Sequence, residues 1–208
     1  MATSTDFQID TTTILSLLST LAILFAAYTA SLYSLPSTAS SKTRFIFIWH
    51  AFDALIHFIL EGSYLWNCFF SYTTSLPTAA APLLPSGIHF LGRSDRLYGA
   101  AYGSSPFSAL WREYAKADAR WGGVDLTVVS LELLTVFIGG PLAVYICACL
   151  ARRQIGKAWF WICVLATGEL YGGEFFSLFL FSRPVSIFRC LDLPFLWKKM
   201  KRCGLVMW

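Results

Sequence analysis

The chain has 208 residues, 56% of them hydrophobic, 13% charged and 17% aromatic, with a formal net charge of +4. So apolar a composition excludes an ordinary soluble domain and offers no electrostatic basis for nucleic-acid binding; it describes a polytopic membrane protein. Eight Trp and 18 Phe suit interfacial belts and an apolar cavity able to hold a flat ligand.

The first apolar run, Thr12 to Leu35, follows residues 1–11, which carry Asp6 and Asp10. Secretory h-regions span ~7 to 15 residues behind a basic segment, so this longer run is expected to stay as a first transmembrane helix. Lys42 and Arg44 then lead into a second span, about Phe45 to Phe70. Inside it His50, Asp53, His57 and Glu61 recur at helical spacing, and at ~100° per residue they fall within an arc of roughly 80°. Ionisable groups at bilayer depth cost at least ~2.5 kcal/mol each on insertion scales, so they persist mainly where they face a protein-lined cavity and find partners.

The connection from Ser71 to Asp125 changes character along its length. Thr73 to Gly92 is rich in Pro, Ser, Thr and Ala and reads as an irregular loop. Ser105 to Trp121, with Pro106 near its start, reads as an interfacial helix. Within it Trp111 and Tyr114 suit either a membrane interface or a cavity cover, and Asp118 with Arg120 reads as a surface pair.

A third span, about Leu126 to Leu150, carries Glu132 and Thr135 one turn apart, with Asp125 two turns before Glu132 on the same side. The fourth, about Ala158 to Phe181, contains Thr167, Glu169, Tyr171 and Glu174. At ~100° per residue Glu169 falls nearly opposite the other three, so one straight helix cannot aim all of them at one cavity. Gly168, Gly172 and Gly173 allow close approach of a neighbouring helix. Both short connections, with Lys42 and Arg44 and with Arg152, Arg153 and Lys157, are purely basic, which places them in the cytosol and the N-terminus in the lumen. The segment 183–208 is a basic tail.

Six cysteines form no C-x-x-C pair and read as small hydrophobes rather than a metal or disulfide framework. Three histidines are too few for a membrane di-iron oxidase. Zinc-protease, nucleophile-elbow, Walker and dinucleotide patterns are missing, which disfavours hydrolysis, phosphoryl transfer and redox chemistry. What His57, Glu61 and Glu132 permit together is proton transfer. A buried carboxylic acid can protonate a carbon–carbon double bond, and a nearby imidazole or carboxylate can remove a proton elsewhere. Carboxylates and aromatic faces stabilise the intervening carbocation in a water-poor pocket.

The segments "IHFILEG" (His57, Glu61, Gly62), "LWREYAKADARW", Glu132 with Thr135 and Gly140-Pro141, and "GELYGG" together resemble the emopamil-binding protein family of the EXPERA group, which includes the sterol Δ8-Δ7 isomerases. The ordered likeness runs from about His50 to Gly173 and marks the chain as a divergent paralogue. It implies an all-α bundle of five transmembrane helices in the endoplasmic reticulum membrane, no cofactor, no metal, and double-bond migration by protonation and deprotonation. It also implies catalytic roles for His57, Glu61 and Glu132, and a substrate-binding role for Thr135. Trp111 and Tyr114 lie in the segment that covers the family's cavity. His50, Asp53, Tyr171 and Glu169 complete the expected substrate-facing set.

Two departures set this chain apart. The family's fifth helix carries an N-x-x-W pattern, whereas "VSIFRCLDLPFLWKKMKRCGLVMW" is interrupted by Arg189, Asp192 and Pro194 and is too polar for a fifth span. The sequence thus shows four clear spans in an EXPERA-like domain over 12–182, with a fifth lost, shortened or degenerate, through divergence or a truncated or misread gene model. His50 and Asp53 are the second departure, since these positions are expected to be apolar or small in sterol isomerases; they read either as a mutually satisfied pair or as part of the cavity. The expected activity is isomerisation of a sterol or related polycyclic isoprenoid. The alternatives are a proton-initiated terpene or meroterpenoid cyclase and a noncatalytic sterol- or lipid-binding protein. The expected partners are that substrate and the bilayer, with room for a homodimer.

Overall fold

The computed structural model describes residues 11–74, 84 and 87–182, with side chains to residue 172. The expected basic tail, the fifth element and the Glu174 side chain lie outside the described residues. The chain divides into two compact units, Met1–Glu169 and Leu170–Trp208.

Among the described residues, three helices are long and apolar enough to cross a membrane: α1 (Thr11–Ser34), α2 (Ser41–Phe70) and the helix over Leu126–Ala151. Between the last two lies the short α3 (Pro106–Tyr114), so the Leu126–Ala151 helix is α4. The fourth expected span corresponds to α5 (Ile155–Ser182), a continuous helix. Apolar residues such as Leu18, Leu21 and Phe25 on α1 and Phe137 and Ile138 on α4 are exposed, as a lipid-facing surface requires.

The helix ends follow from local chemistry. Ser40 starts α2 by accepting a hydrogen bond from the Thr43 amide, Ser105 starts α3 with Pro106 behind it, and Asp125 starts α4 by accepting from the amides of Thr127 and Val128. Arg44 donates to the carbonyls of Ser31 and Pro36 at 2.9 and 3.3 Å, a second bond to each beside the amides of Leu35 and Ala39, and so ties the start of α2 to the end of α1. Arg153 takes a left-handed backbone (φ 58°) just beyond α4 and turns the chain within three residues into α5. Lys42 lies 5.4 Å over the Trp159 ring, which ties the start of α2 to the start of α5.

The core of the first unit runs between α2, α4 and the first half of α5. Phe47, Ala54, Ala143, Ile146, Cys149, Leu150, Ala158 and Leu165 pack there. Several of these side chains are small, which brings the backbones close and replaces the missing hydrophobic drive of a lipid solvent with van der Waals contact.

The long connection is more ordered than its composition suggests. β1 (Tyr72–Thr73) pairs antiparallel with β2 (Leu97–Tyr98), a ladder too short for any periodic sequence signal. Gly99 (φ 134°) then crosses the chain at Gly123, where a Cβ would sit 2.6 Å from the Gly123 Cα, so only glycine fits. Asp118 and Arg120 do pair, at 2.6 Å. Their expected surface placement is corrected: Arg120 is buried because its strand of chain lies beneath Tyr64, whose hydroxyl donates to the Arg120 carbonyl at 3.4 Å.

Candidate active site

Both helices that carry the expected catalytic residues widen at the same level. α2 is π-helical over Ile56–Glu61 and α4 over Thr135–Gly139, and the two segments touch. In each, the closing amide belongs to a glycine and reaches back five residues, from Gly62 to His57 O and from Gly140 to Thr135 O. On α4 the cause is local, because Pro141 has no N–H for the Phe137 carbonyl and a wider turn accommodates that loss. Such widened turns occur preferentially at functional sites.

Gly139 and Gly140 let α4 press flat on this part of α2. A Cβ on Gly139 would stand 3.3 Å from His57 Nε2, and one on Gly140 would stand 2.9 Å from the Phe58 ring. The contact fixes the imidazole from one side.

The hydrogen bonds then converge on Glu61. His57 Nδ1–H donates to Glu61 Oε2 at 2.6 Å, and Thr135 Oγ1–H, from the facing helix, donates to the same oxygen at 2.5 Å. Thr135 Oγ1 also lies 3.2 Å from the Glu132 backbone carbonyl, while Glu132 Oε2 has no partner. His57 and Glu132 are 5% and 8% exposed. His57, Glu61 and Thr135 therefore form one hydrogen-bonded chain between the two helices, and the buried Glu132 lies one turn before Thr135 on α4.

A second group gathers at the other face of the imidazole. His57 Nε2 is 3.6 Å from Asp53 Oδ1, too far for a hydrogen bond, and Nε2 itself has no partner. Glu169 reaches Asp53 from α5, and the donor atoms of Asp53, His57 and Glu169 lie within 4.8 Å of one another. That convergence is one a divalent cation could accept. Glu169 is exposed, however, so we read the group as acid/base. His50 is buried one helical segment away with its Nδ1 unpartnered, and Asp53 Oδ2 is unpartnered as well. The reading of His50 and Asp53 as a mutually satisfied pair is thus corrected.

The aromatic cover sits one turn beyond Glu61. Trp111 is 4% exposed, donates its indole N–H to Ser63 Oγ at 2.9 Å, and stacks on Trp121 at 5.0 Å. Tyr64 meets both indoles edge-on. Trp111 is therefore internal packing over α2 and not an interface aromatic, whereas Tyr114 is exposed at the rim, 5.2 Å from Trp111. Trp121 and Ser63 belong to this cover although sequence reasoning did not select them. Tyr171 is 67% exposed and belongs to the second unit.

Residues 106–196 match the family model described as EBP, EXPERA (EXPanded EBP superfamily). This range includes Trp111, Tyr114, Glu132, Thr135, Glu169 and Tyr171, while His50, Asp53, His57 and Glu61 precede it. The chain is 28% identical over 141 residues to a probable 3-beta-hydroxysteroid-Delta(8),Delta(7)-isomerase of Oryza sativa subsp. japonica, covering 64% of this chain and 48% of that protein. It is 27% identical over 144 residues to a protoglabretal synthase of Ailanthus altissima, covering 68% and 52%. Against the 3-beta-hydroxysteroid-Delta(8),Delta(7)-isomerase of Mus musculus it is 32% identical over 71 residues, covering 34% and 30%. The chain spans about half the length of the curated relatives it matches.

Proposed function

From its membership of the EBP (EXPERA) family, we infer that this chain is a membrane-embedded isomerase that moves a carbon–carbon double bond in a sterol or related polycyclic isoprenoid. The single observation that carries the reading is the His57–Glu61–Thr135 hydrogen-bonded chain between two widened helices, with the buried Glu132 one turn away on α4. Glu132 is buried with one carboxyl oxygen unpartnered, and in this reading it carries the proton and serves as the acid. An imidazole fixed by one nitrogen leaves the other as a base.

In the proposed cycle the Glu132 carboxylic acid gives its proton to one alkene carbon, and the π pair becomes the new C–H bond. The adjacent carbon is left cationic, beside Glu61. His57 Nε2 then takes a proton from a neighbouring carbon, and the electrons of the broken C–H bond close the shifted double bond. The proton count is unchanged over the cycle. The site is reset when the proton taken by His57, which is bonded to Glu61, returns to Glu132.

The substrate class follows from the names of the relatives and the apolar setting, and the endoplasmic reticulum membrane is the location proposed with it. The expected α5 crossing, with a lumenal N-terminus, belongs to the same proposal. The test is expression in a yeast strain lacking its own sterol isomerase, followed by sterol profiling. Accumulation of Δ7 sterols supports the reading, and unconverted Δ8 sterol in the presence of intact protein overturns it. The likeness to a protoglabretal synthase favours one second reading, in which the same acid starts the cyclisation of a terpene or meroterpenoid in specialised metabolism. Conversion of such a precursor without Δ7 sterol formation would select it.

A further inference from the structure

We propose that Asp53 is a positioning residue for His57, completing a carboxylate–imidazole–carboxylate file Asp53–His57–Glu61 along α2. The assignment rests on the acid/base reading above and deepens it.

A neutral imidazole has one N–H and one lone pair. In that form, with the N–H given to Glu61 through Nδ1, Nε2 would present a lone pair towards Asp53 Oδ1 at 3.6 Å. Two acceptors facing each other do not bond, which accounts for the separation and for the unpartnered Nε2. Adding a proton to Nε2 reverses the situation. The C–H bond of the substrate breaks, its electron pair closes the new double bond, and the proton becomes an Nε2–H that Asp53 can accept. Both ring nitrogens of the imidazolium then have carboxylate partners. Asp53 thus interacts more favourably with the state after proton removal than with the state before, which is the requirement for lowering a barrier.

The surroundings favour Asp53 for this role. Gly139 lies against Nε2 and supplies no side chain there. Of the other titratable groups close to His57, Glu61 is engaged at Nδ1, Glu132 lies on the Glu61 side, and Glu169 reaches His57 in company with Asp53. His50 faces Asp53 from the same helix without a hydrogen bond to it. Asp53 sits at i−4 from His57 and Glu61 at i+4, so one helix delivers both carboxylates to one ring.

The experiment uses the purified full chain in lipid nanodiscs with a 3β-hydroxy-Δ8 sterol. Asp53→Asn keeps the shape and removes the charge. It is expected to lower kcat on the order of tenfold, less than the ~10²-fold loss of a group that itself transfers the proton, with KM held within about twofold. Asp53→Glu is expected to restore most of kcat. Wild-type kcat in Asp53→Asn, or a defect confined to KM, overturns the assignment. If that occurs while Glu132→Gln is inactive, the isomerase reading stands alone. If wild-type protein converts no sterol, the isomerase reading fails, and ¹⁵N-histidine NMR decides the positioning role separately. An Asp53-dependent shift of the His57 Nε2 signal, with folding preserved in both variants, supports it; a signal unchanged by Asp53→Asn overturns it.

Discussion

The Thr135 hydroxyl reaches across from α4 to the same Glu61 oxygen that accepts the His57 N–H, so one atom of α2 is held by both helices. This junction makes the site a property of the helix pair rather than of either span. Removing the hydroxyl with Thr135→Val leaves the half-buried Glu61 one donor short. We expect a kcat loss of about tenfold, corresponding to ~1.4 kcal/mol of hydrogen-bond support in the transition state. Thr135→Ser, which keeps the donor, should stay close to wild type. Steady-state turnover of the two variants distinguishes the outcomes.

A packing prediction follows from Gly140. An added methyl group would stand 2.9 Å from the Phe58 ring carbons, and overpacking of this kind costs typically ~1–3 kcal/mol. Gly140→Ala should therefore lower thermal stability in detergent, and adding Phe58→Leu should recover part of it. A melting temperature unmoved by Gly140→Ala would mean that the two helices do not meet as described.

The Trp111 indole should separate packing from hydrogen bonding. Trp111→Ala empties a buried site stacked on Trp121 and is expected to destabilise by ~3–5 kcal/mol. Trp111→Phe keeps most of the ring and loses the bond to Ser63, for about 1 kcal/mol. Denaturation of the purified variants should rank wild type, Phe and Ala in that order.

The chemistry of the intermediate also predicts a ligand. A protonated amphiphilic amine presents a cation on an apolar body, as the proposed carbocation does, and should bind competitively with the sterol. Its neutral carbon isostere should bind on the order of tenfold more weakly, a difference of ~1.4 kcal/mol. Competition assays with the matched pair of compounds measure this, and equal affinities would argue against a cation-stabilising site.

The polar file on α2 was legible in the sequence because ionisable residues stand out within an apolar run, and their cost at bilayer depth says that they must have partners. Glu132 and Thr135 were found the same way. The helix phase also separated Glu169 from Thr167 and Tyr171, and in the structure Glu169 comes to the Asp53–His57 group, while the Thr167 hydroxyl turns back to Cys163 O. What could not be read was geometry that depends on two helices together. The matched π-helical segments leave no mark in a pattern counted at a fixed angle per residue, although Gly62 and Gly140-Pro141 lie where they end. The burial of Trp111 and Arg120 was likewise hidden, since it arises from α3 and the following turn folding back over Ser63 and Tyr64. The two-residue ladder at Tyr72–Tyr98 is too short to leave any period at all.

Proton transfer from Glu132 is tested most directly by turnover of a 3β-hydroxy-Δ8 sterol by wild type and Glu132→Gln, both shown to be folded by thermal melting. The substitution preserves size and removes the acidic proton. Conversion to the Δ7 product by wild type, with the variant slowed by at least ~10²-fold, is the predicted result; conversion by Glu132→Gln at the wild-type rate would contradict it.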